Sequence, residues 1–297
     1  MRYWCERMRG CFFWWSGRRV AAAICVAMVI LSGCFVRRRV VAAPGKPANR
    51  PVLSAAKDDL IQRVRRFSEG IQSFSMTADL SASVGQTLGG EVTDYATISG
   101  YILYRKADDI RIIGLDPVIR SKAFDMLSTG STFQLLIPSK NRLITGRNDV
   151  RQLSPNKLEN LRPAAFLVSL LVLPPDDNDL TLLEDDTDEM HAQYELLIVN
   201  RGNGQPFLTR SVYFDRYTLQ IARQRTFDAA GGIVSDTRYG DWKSFGSQMY
   251  PSTIDINRPL EGYALQISVE ELKVNPELTP DQFVLTPPAG VEVRQLK

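Results

Sequence analysis

The 297-residue chain has four cysteines, and all of them (Cys5, Cys11, Cys25 and Cys34) fall within its first 34 residues. Residues 35–297 therefore offer no disulfide and no thiol chemistry. Histidine is scarcer still: His191 is the only one, inside the acidic surroundings of "EDDTDEM" at 184–190. A lone histidine is more often a surface or structural residue than a catalytic one. Gly-x-Ser-x-Gly, a phosphate-binding glycine loop and paired Cys/His metal spacing are all missing, and with them go the usual signatures of a serine hydrolase, a nucleotide-dependent enzyme and a zinc site. The chain reads as a non-enzyme without cofactor or metal; carboxylate pairs assembled only in three dimensions stay open. Long apolar runs are lacking too. The run "VAAAICVAMVI" at 20–30 has eleven residues, and at 1.5 Å per residue it reaches about half of a ~30 Å hydrocarbon core. Residues 20–36 are only marginally long enough, so a permanent transmembrane helix is the weaker reading.

What surrounds that run is informative. Arg18 and Arg19 precede it and the small residues Ser32 and Gly33 follow it, which is the charged, apolar, small-residue order of a secretory signal. Leu31, Ser32, Gly33 and Cys34 resemble the lipobox of bacterial lipoproteins. That resemblance implies that 1–33 is a lipoprotein signal peptide and that Cys34 is lipidated; an ordinary cleavage site at Cys34 is the alternative. Two or three acyl chains, at ~0.8 kcal/mol per buried methylene, hold a protein firmly to a bilayer where one would be marginal. Phe35, not aspartate, follows the cysteine, and by analogy with lipoprotein sorting this points to the outer membrane. Without residues 1–33 the chain keeps 31 basic and 32 acidic residues, net −1, so its formal +3 carries no implication of nucleic-acid binding. Arg37, Arg38 and Arg39 suit either anionic head groups beside the anchor or plain solvation. Residues 40–56, "VVAAPGKPANRPVLSAA", contain three prolines and no period. The stretch 34–56 is thus a lipidated cysteine with a flexible tether, able to hold a domain up to roughly 50 Å from a membrane.

The domain proper spans 57–297. In "DDLIQRVRRFSEGI", Leu60, Val64, Phe67 and Ile71 recur on one helix face. The period then changes from 3.6 to 2: Phe74, Met76, Ala78, Leu80, Ala82 and Val84 alternate with polar residues. Similar alternation predicts further strands at 96–106, 110–115, 123–128, 132–138, 142–146, 192–200, 207–215, 219–228, 232–242, 252–257 and 263–274. Turn-rich connectors such as "RKADD", "PSKN", "RGNGQP" and "DAAGG" separate them. Successive strands with short connections imply an antiparallel meander, and about eleven or twelve of them in one sheet tend to curl. The acidic residues at 176–179 and 184–189 lack EF-hand spacing and read as a solvated loop in preference to a calcium site.

One segment breaks the pattern. In "SPNKLENLRPAAFLVSLLVLPPDD", residues 154–177, Ser154 and Pro155 suit a helix start, Pro163 opens a second helical piece, and Pro174 and Pro175 end it. Residues 164–173 carry one polar side chain, Ser169, and a helix apolar on all sides is buried on all sides. It either covers a hydrophobic cavity on the concave face of the sheet or simply fills it as a core helix.

A short helix, then "ISGYILYRKADDIRIIGLDP", "GSTFQLLIPSKNRLITG", an apolar helix, and a closing stretch with Asn275, Pro276, Phe283, Pro287, Pro288, Ala289 and Gly290 together resemble the LolA/LolB lipoprotein-localisation family over 57–293. The resemblance implies a mainly β (α+β) fold: an unclosed, strongly curved antiparallel β-barrel whose covering helices enclose a cavity for acyl chains. Cys34 makes the chain more like the anchored outer-membrane receptor of that family than its soluble carrier. In the receptor's pattern an apolar loop projects after the strand at 110–114, which here makes Val118 the apolar tip, with Leu115 or Ile119 nearby on the same loop; Val118 packed inward as a strand residue is the alternative. The family places Ile102, Tyr104, Ile112, Phe133, Leu135, Phe166, Leu170 and Leu171 around the cavity, although a one-residue slip in strand phase would turn each strand's set outward. The implied partners are lipid acyl chains or acylated lipoproteins, the membrane through the anchor, and a soluble periplasmic carrier, with no nucleic acid. A non-catalytic envelope scaffold, filled by its own helix and binding a protein partner, is the second reading, and an unrecognised hydrolase the third.

Overall fold

The computed structural model describes residues 51–85, 91–149, 160–188, 191–201 and 205–296. Cys34, the leader, Arg37, Arg38, Arg39 and the first helical piece expected at 154–159 lie outside the described residues. The described residues all belong to one compact unit.

One sheet dominates. Its strands are β1 Ser73–Val84, β2 Thr93–Asp94, β3 Ile98–Arg105, β4 Asp109–Leu115, β5 Lys122–Thr129, β6 Thr132–Ile137, β7 Arg142–Arg147, β8 Leu180–Thr187, β9 Ala192–Asn200, β10 Phe207–Asp215, β11 Ile221–Phe227, β12 Ile233–Phe245, β13 Gln248–Arg258, β14 Tyr263–Val274 and β15 Glu292–Gln295. The spatial order is β15-β7-β6-β5-β4-β3-β1-β14-β13-β12-β11-β10-β9-β8, with β2 on β1. Two antiparallel meanders are thus joined where β1 pairs with β14, Phe74 opposite Val274 and Val84 opposite Tyr263. The ends β15 and β8 do not pair, so the curved sheet stays unclosed. A twisted sheet of this many strands curls because each strand is rotated on its neighbour in the same sense.

The sheet has fifteen strands where alternation predicted about eleven or twelve. The additional ones are β2, β8 and β15. β2 has only two residues and β15 four, the latter pairing in parallel with β7, Glu292 opposite Arg142. β8 is an edge strand, and Glu184, Asp185 and Asp186 belong to it. The expectation of a solvated loop is corrected there: an edge strand that brings only Leu183 against the core tolerates acids at its mostly exposed positions, and they also discourage edge-to-edge pairing.

Helix α1, Lys57–Glu69, precedes β1 and buries Leu60, Val64 and Phe67. Phe67 stacks on Tyr250 at 5.7 Å between ring centroids and meets Trp242 edge-on. The Asp59 carboxylate accepts the Ala56 N–H at 3.3 Å and so serves the helix start. The preceding residues are docked: the Leu53 N–H donates to the Arg216 carbonyl, and Arg216 Nε donates back to the Leu53 carbonyl. Asn275, in the left-handed region at φ 56, clamps the α1–β1 corner. Its Oδ1 accepts the N–H groups of Gln72 and Ser73, and its Nδ2 donates to the Gly70 carbonyl.

Inward-facing residues of both meanders, α1, and the helix α2 Pro163–Leu170 form a single apolar core. On the convex side the C-terminal segment crosses β4–β7. Phe283 and Leu285 pack on Leu127, Leu136 and Leu143, and the Arg105 guanidinium lies 4.5 Å over the Phe283 ring. Beneath this crossing, Asp125 is 1% exposed and receives both arms of Arg111, at 2.9 and 2.8 Å, and Lys122 Nζ at 2.7 Å. Burial alone would raise the Asp125 pKa, but the hydrogen bonds from Arg111 and then Lys122 outweigh it and hold the carboxyl below its ordinary value.

Candidate functional site

The concave face is the candidate site, and the chain's connectivity explains what fills it. β7 and β8 lie toward opposite ends of the sheet, so the segment between them must travel from one side of the half-barrel to the other. The shortest route for an apolar segment crosses the concave face, where α2 sits. α2 touches β4 and β5 on one wall and hydrogen-bonds to β11, β12 and β13 on the other.

Ile102, Tyr104, Ile112, Phe133, Leu135, Phe166, Leu170 and Leu171 all belong to the core cluster, none more than 4% exposed. Strand phase therefore puts each of the five strand residues inward. Ile102, Ile112 and Leu170 have 0% exposure, so no water-sized void touches them and the groove at this level is filled by the chain itself. Opposed glycines thin the wall: Gly100 pairs with Gly114 across β3 and β4, and a Cβ on Gly114 would meet Phe124 at 2.5 Å and Ile98 at 2.7 Å.

The last turn of α2 is held by side chains. A helix ends with carbonyls that lack intrahelical partners. Here Gln224 Nε2 donates to the Val168 carbonyl at 2.9 Å, the Tyr239 hydroxyl to Ser169 at 2.9 Å and the Tyr250 hydroxyl to Leu170 at 2.8 Å. Beyond the helix, the two terminal nitrogens of Arg210 donate to the carbonyls of Leu173 and Pro174 at 2.7 and 3.0 Å. Thr237 Oγ1 donates to Ser169 Oγ, which in turn donates to the Ala165 carbonyl. Burial pushes the Tyr239 and Tyr250 hydroxyls well above their ordinary pKa, so both remain protonated donors at neutral pH. At the other end of α2, buried Arg162 lies 4.7 Å over the Phe133 ring. Burial lowers its pKa, opposed by the nearby Tyr263 and Glu261.

Periodicity did not single out Gln224, Tyr239, Tyr250, Thr237, Arg210 and Arg162 as site residues. Gln224 sits in "ARQRTF" between two arginines, where its inward phase is unreadable without the register. The tyrosines alternate like ordinary core residues.

The projecting loop is built by Asp116. Its Oδ1 accepts the N–H groups of Val118 and Ile119 at 2.8 and 3.0 Å, and its own N–H donates to the Ser121 carbonyl. Those two hydrogen bonds, the one from Ile119 foremost, hold the Asp116 carboxyl below its ordinary pKa. Val118 is 76% and Ile119 72% exposed. Leu115 closes β4 and is half-buried, so the structure separates it from the two apolar tips.

A cleft of about 590 Å³ opens at the far edge, lined by Leu127, Phe133, Arg147, Phe283 and Leu296 among others. Among the described residues no three His, Cys, Asp or Glu side chains gather as a metal site, and no helix is long and apolar enough to cross a membrane. His191 is surface-exposed beside Asp188.

Fold and site together define an open antiparallel half-barrel whose concave face is occupied by its own helices. This architecture is shared with a LolA superfamily protein from Nitrosomonas europaea, at TM-score 0.50 and 11% identity over 78% of this chain and 99% of that one. Further similar structures are a DUF1329 family protein from Desulfovibrio piger (TM-score 0.47, 15% identity, 76% and 95% covered) and an outer membrane lipoprotein-sorting protein domain from Vibrio parahaemolyticus (0.46, 11%, 76% and 94%). At these identities the likeness is one of fold, and the chain has the LolA-like fold. No protein-family model and no curated protein matches the sequence.

Proposed function

We propose that this chain is a lipid-anchored protein of the bacterial envelope, held through Cys34 on the periplasmic face of the outer membrane, which accepts the acyl chains of lipids or lipoproteins in the groove that α2 occupies. The observation that carries this reading is the plug itself. α2 carries a single polar side chain, Ser169, and fills a groove between two walls, while every strand pairing of the sheet is made without it. A groove that accepts an apolar helix accepts hydrocarbon by the same physics, about 0.8 kcal/mol per buried methylene, once the helix yields. No bond is made or broken in such a step, so the reading is non-catalytic.

The exposed Val118 and Ile119 fit a second role. Two apolar side chains on a loop braced by Asp116, with Arg120 and Lys122 beside them, suit shallow insertion into a bilayer, the event that brings the groove to its cargo. A soluble periplasmic carrier delivering the cargo would suit the same loop end.

The test is native mass spectrometry of the unacylated chain from residue 35 onward, together with displacement of a fluorescent fatty-acid analogue. A stoichiometric lipid, or saturable probe uptake displaced by lipid, is expected. A protein that holds neither would leave the second reading, an envelope scaffold whose interior is permanently filled and whose surface binds a protein partner. The specific observation favouring that alternative is the absence of accessible surface at Ile102, Ile112 and Leu170.

A further inference from the structure

The two walls of the groove differ in chemistry. The β3–β7 wall presents mainly nonpolar residues to the interior, Ile102, Ile112, Met126, Phe133, Leu135 and Ile144; its buried hydroxyls are those of Tyr104 and of Ser128, the latter donating to the Thr132 carbonyl of its own hairpin. The β10–β13 wall presents the Tyr239 and Tyr250 hydroxyls, the Gln224 amide and the Arg210 guanidinium. Every one of these donates to a main-chain carbonyl of α2 or of the two residues after Val172. Of these five donor-to-carbonyl hydrogen bonds, the three from Gln224, Tyr239 and Tyr250 come from buried side chains, and the two from Arg210 lie at the rim, where Leu173 is exposed. Displacing the helix with bare hydrocarbon would strand the donors, and a buried donor without a partner costs about 1–3 kcal/mol. The ligand able to replace the plug is one that brings carbonyl oxygens along with its chains. Gln224 Oε1, buried and without a partner, leaves an acceptor for the N–H of an acyl amide.

We infer that Tyr239, Tyr250, Gln224 and Arg210 form a carbonyl-reading array, and that the groove selects acyl chains joined through ester or amide carbonyls over ether-linked or plain hydrocarbon chains. The inference rests on the acyl-binding reading above and specifies its ligand class. The carbonyls of Val168, Ser169 and Leu170 occupy the array in the closed protein, and the ligand's carbonyls take their places. Tyr239 and Tyr250 are specificity-determining residues on this view, whereas a purely structural latch would ignore the chemistry of the linkage.

A competition separates the two. The unacylated chain from residue 35 is offered equal concentrations of dioctanoylphosphatidylcholine and its dioctyl-ether analogue, which share head group and chain length, and the bound species are weighed by native mass spectrometry. The expected ester-to-ether ratio is roughly five- to thirty-fold, the effect of about two net hydrogen bonds. In Tyr239→Phe/Tyr250→Phe, which keeps both rings, the ratio falls towards one while the ether lipid binds at least as well as before, because the plug is held less tightly. Gln224→Leu and the single Tyr250→Phe variant give the same direction if the double variant is too unstable to fold. Equal binding of ester and ether by the unmodified protein, or a ratio unchanged in the tyrosine variants, overturns the array. Binding of neither lipid removes the acyl-binding reading itself, a result distinct from binding both equally.

Discussion

Leu170→Ala tests whether α2 is a plug or a permanent part of the core. Leu170 is fully buried at the end of α2, its carbonyl held by Tyr250. Truncation removes three carbons from a packed site, and Leu→Ala changes of this kind cost about 3 kcal/mol, with a range of about 2–5. If docking of α2 is an equilibrium separable from unfolding of the sheet, that loss falls on the closed state alone and raises the open fraction by roughly 150-fold, at 1.4 kcal/mol per factor of ten. A ligand that binds only the open state then gains affinity by up to the same factor, while the urea midpoint of global unfolding falls. Fluorescent fatty-acid titration and urea unfolding of the same preparation measure both. A variant with a lower urea midpoint but unchanged or weaker probe affinity would show that ligand entry does not involve displacing α2, and the plug reading would fail.

Other outcomes follow from single contacts. Asp125→Asn, which leaves half-buried Arg111 with the Gln282 carbonyl but without its carboxylate, is expected to cost about 2–3 kcal/mol at pH 7 by urea unfolding, less than the ~3–5 of a fully buried pair. Because the native pKa of Asp125 lies below its unfolded value of about 3.9, its contribution is present above that pH and disappears as pH falls through the depressed native value. The gap between the two proteins should therefore close at low pH, and a gap constant from pH 7 to about pH 2 would refute the assignment. Val118→Asp with Ile119→Asp should leave the melting temperature within about 2 °C, since both side chains face solvent. The same change should lower binding of the unacylated chain to anionic vesicles by about tenfold or more; undiminished sedimentation with vesicles would sink the insertion role. Asn275→Ala loses three hydrogen bonds and keeps a left-handed backbone. A cost of roughly 2–3 kcal/mol in chemical unfolding is expected, and Asn275→Asp, which retains the acceptor, should lose less.

Alternation along the chain marked most of the strands and limited each to two phases. In β1, β3, β4 and β6 it left the choice between them open, and the structure takes the phase that buries Met76, Ile102, Ile112 and Leu135. The apolar composition of 164–173 pointed to burial on all sides; the structure buries Phe166, Leu170, Leu171 and Val172, ends the helix at Leu170 and leaves Leu173 47% exposed. Strands β2, β8 and β15 escaped because they rest mainly on a partner strand; β8 brings only Leu183 against the core, with Leu180 and Leu182 exposed. Glu184, Asp185 and Asp186 are compatible with an edge and uninformative about it. The expectation that 34–56 is a free tether covers residues 51–56 only in part, because Leu53 docks on Arg216, far away in sequence.

The tertiary structure alone decided where the two meanders meet and hence what surrounds α2. β1 joins β14 through pairs nearly two hundred residues apart, contacts whose loop-closure cost leaves no trace in local periodicity. That junction, and the placement of β7 and β8 toward opposite ends of the sheet, send the connecting segment across the concave face. Only then do Gln224, Tyr239, Tyr250 and Arg210, each unremarkable in its own strand, converge on one row of carbonyls. Period and apolar composition are properties of the local pattern, so the sequence by itself determined that most of these segments are strands with one face to bury and that 164–173 belongs with the core. Convergence depends on register and curvature, which belong to the sheet as a whole.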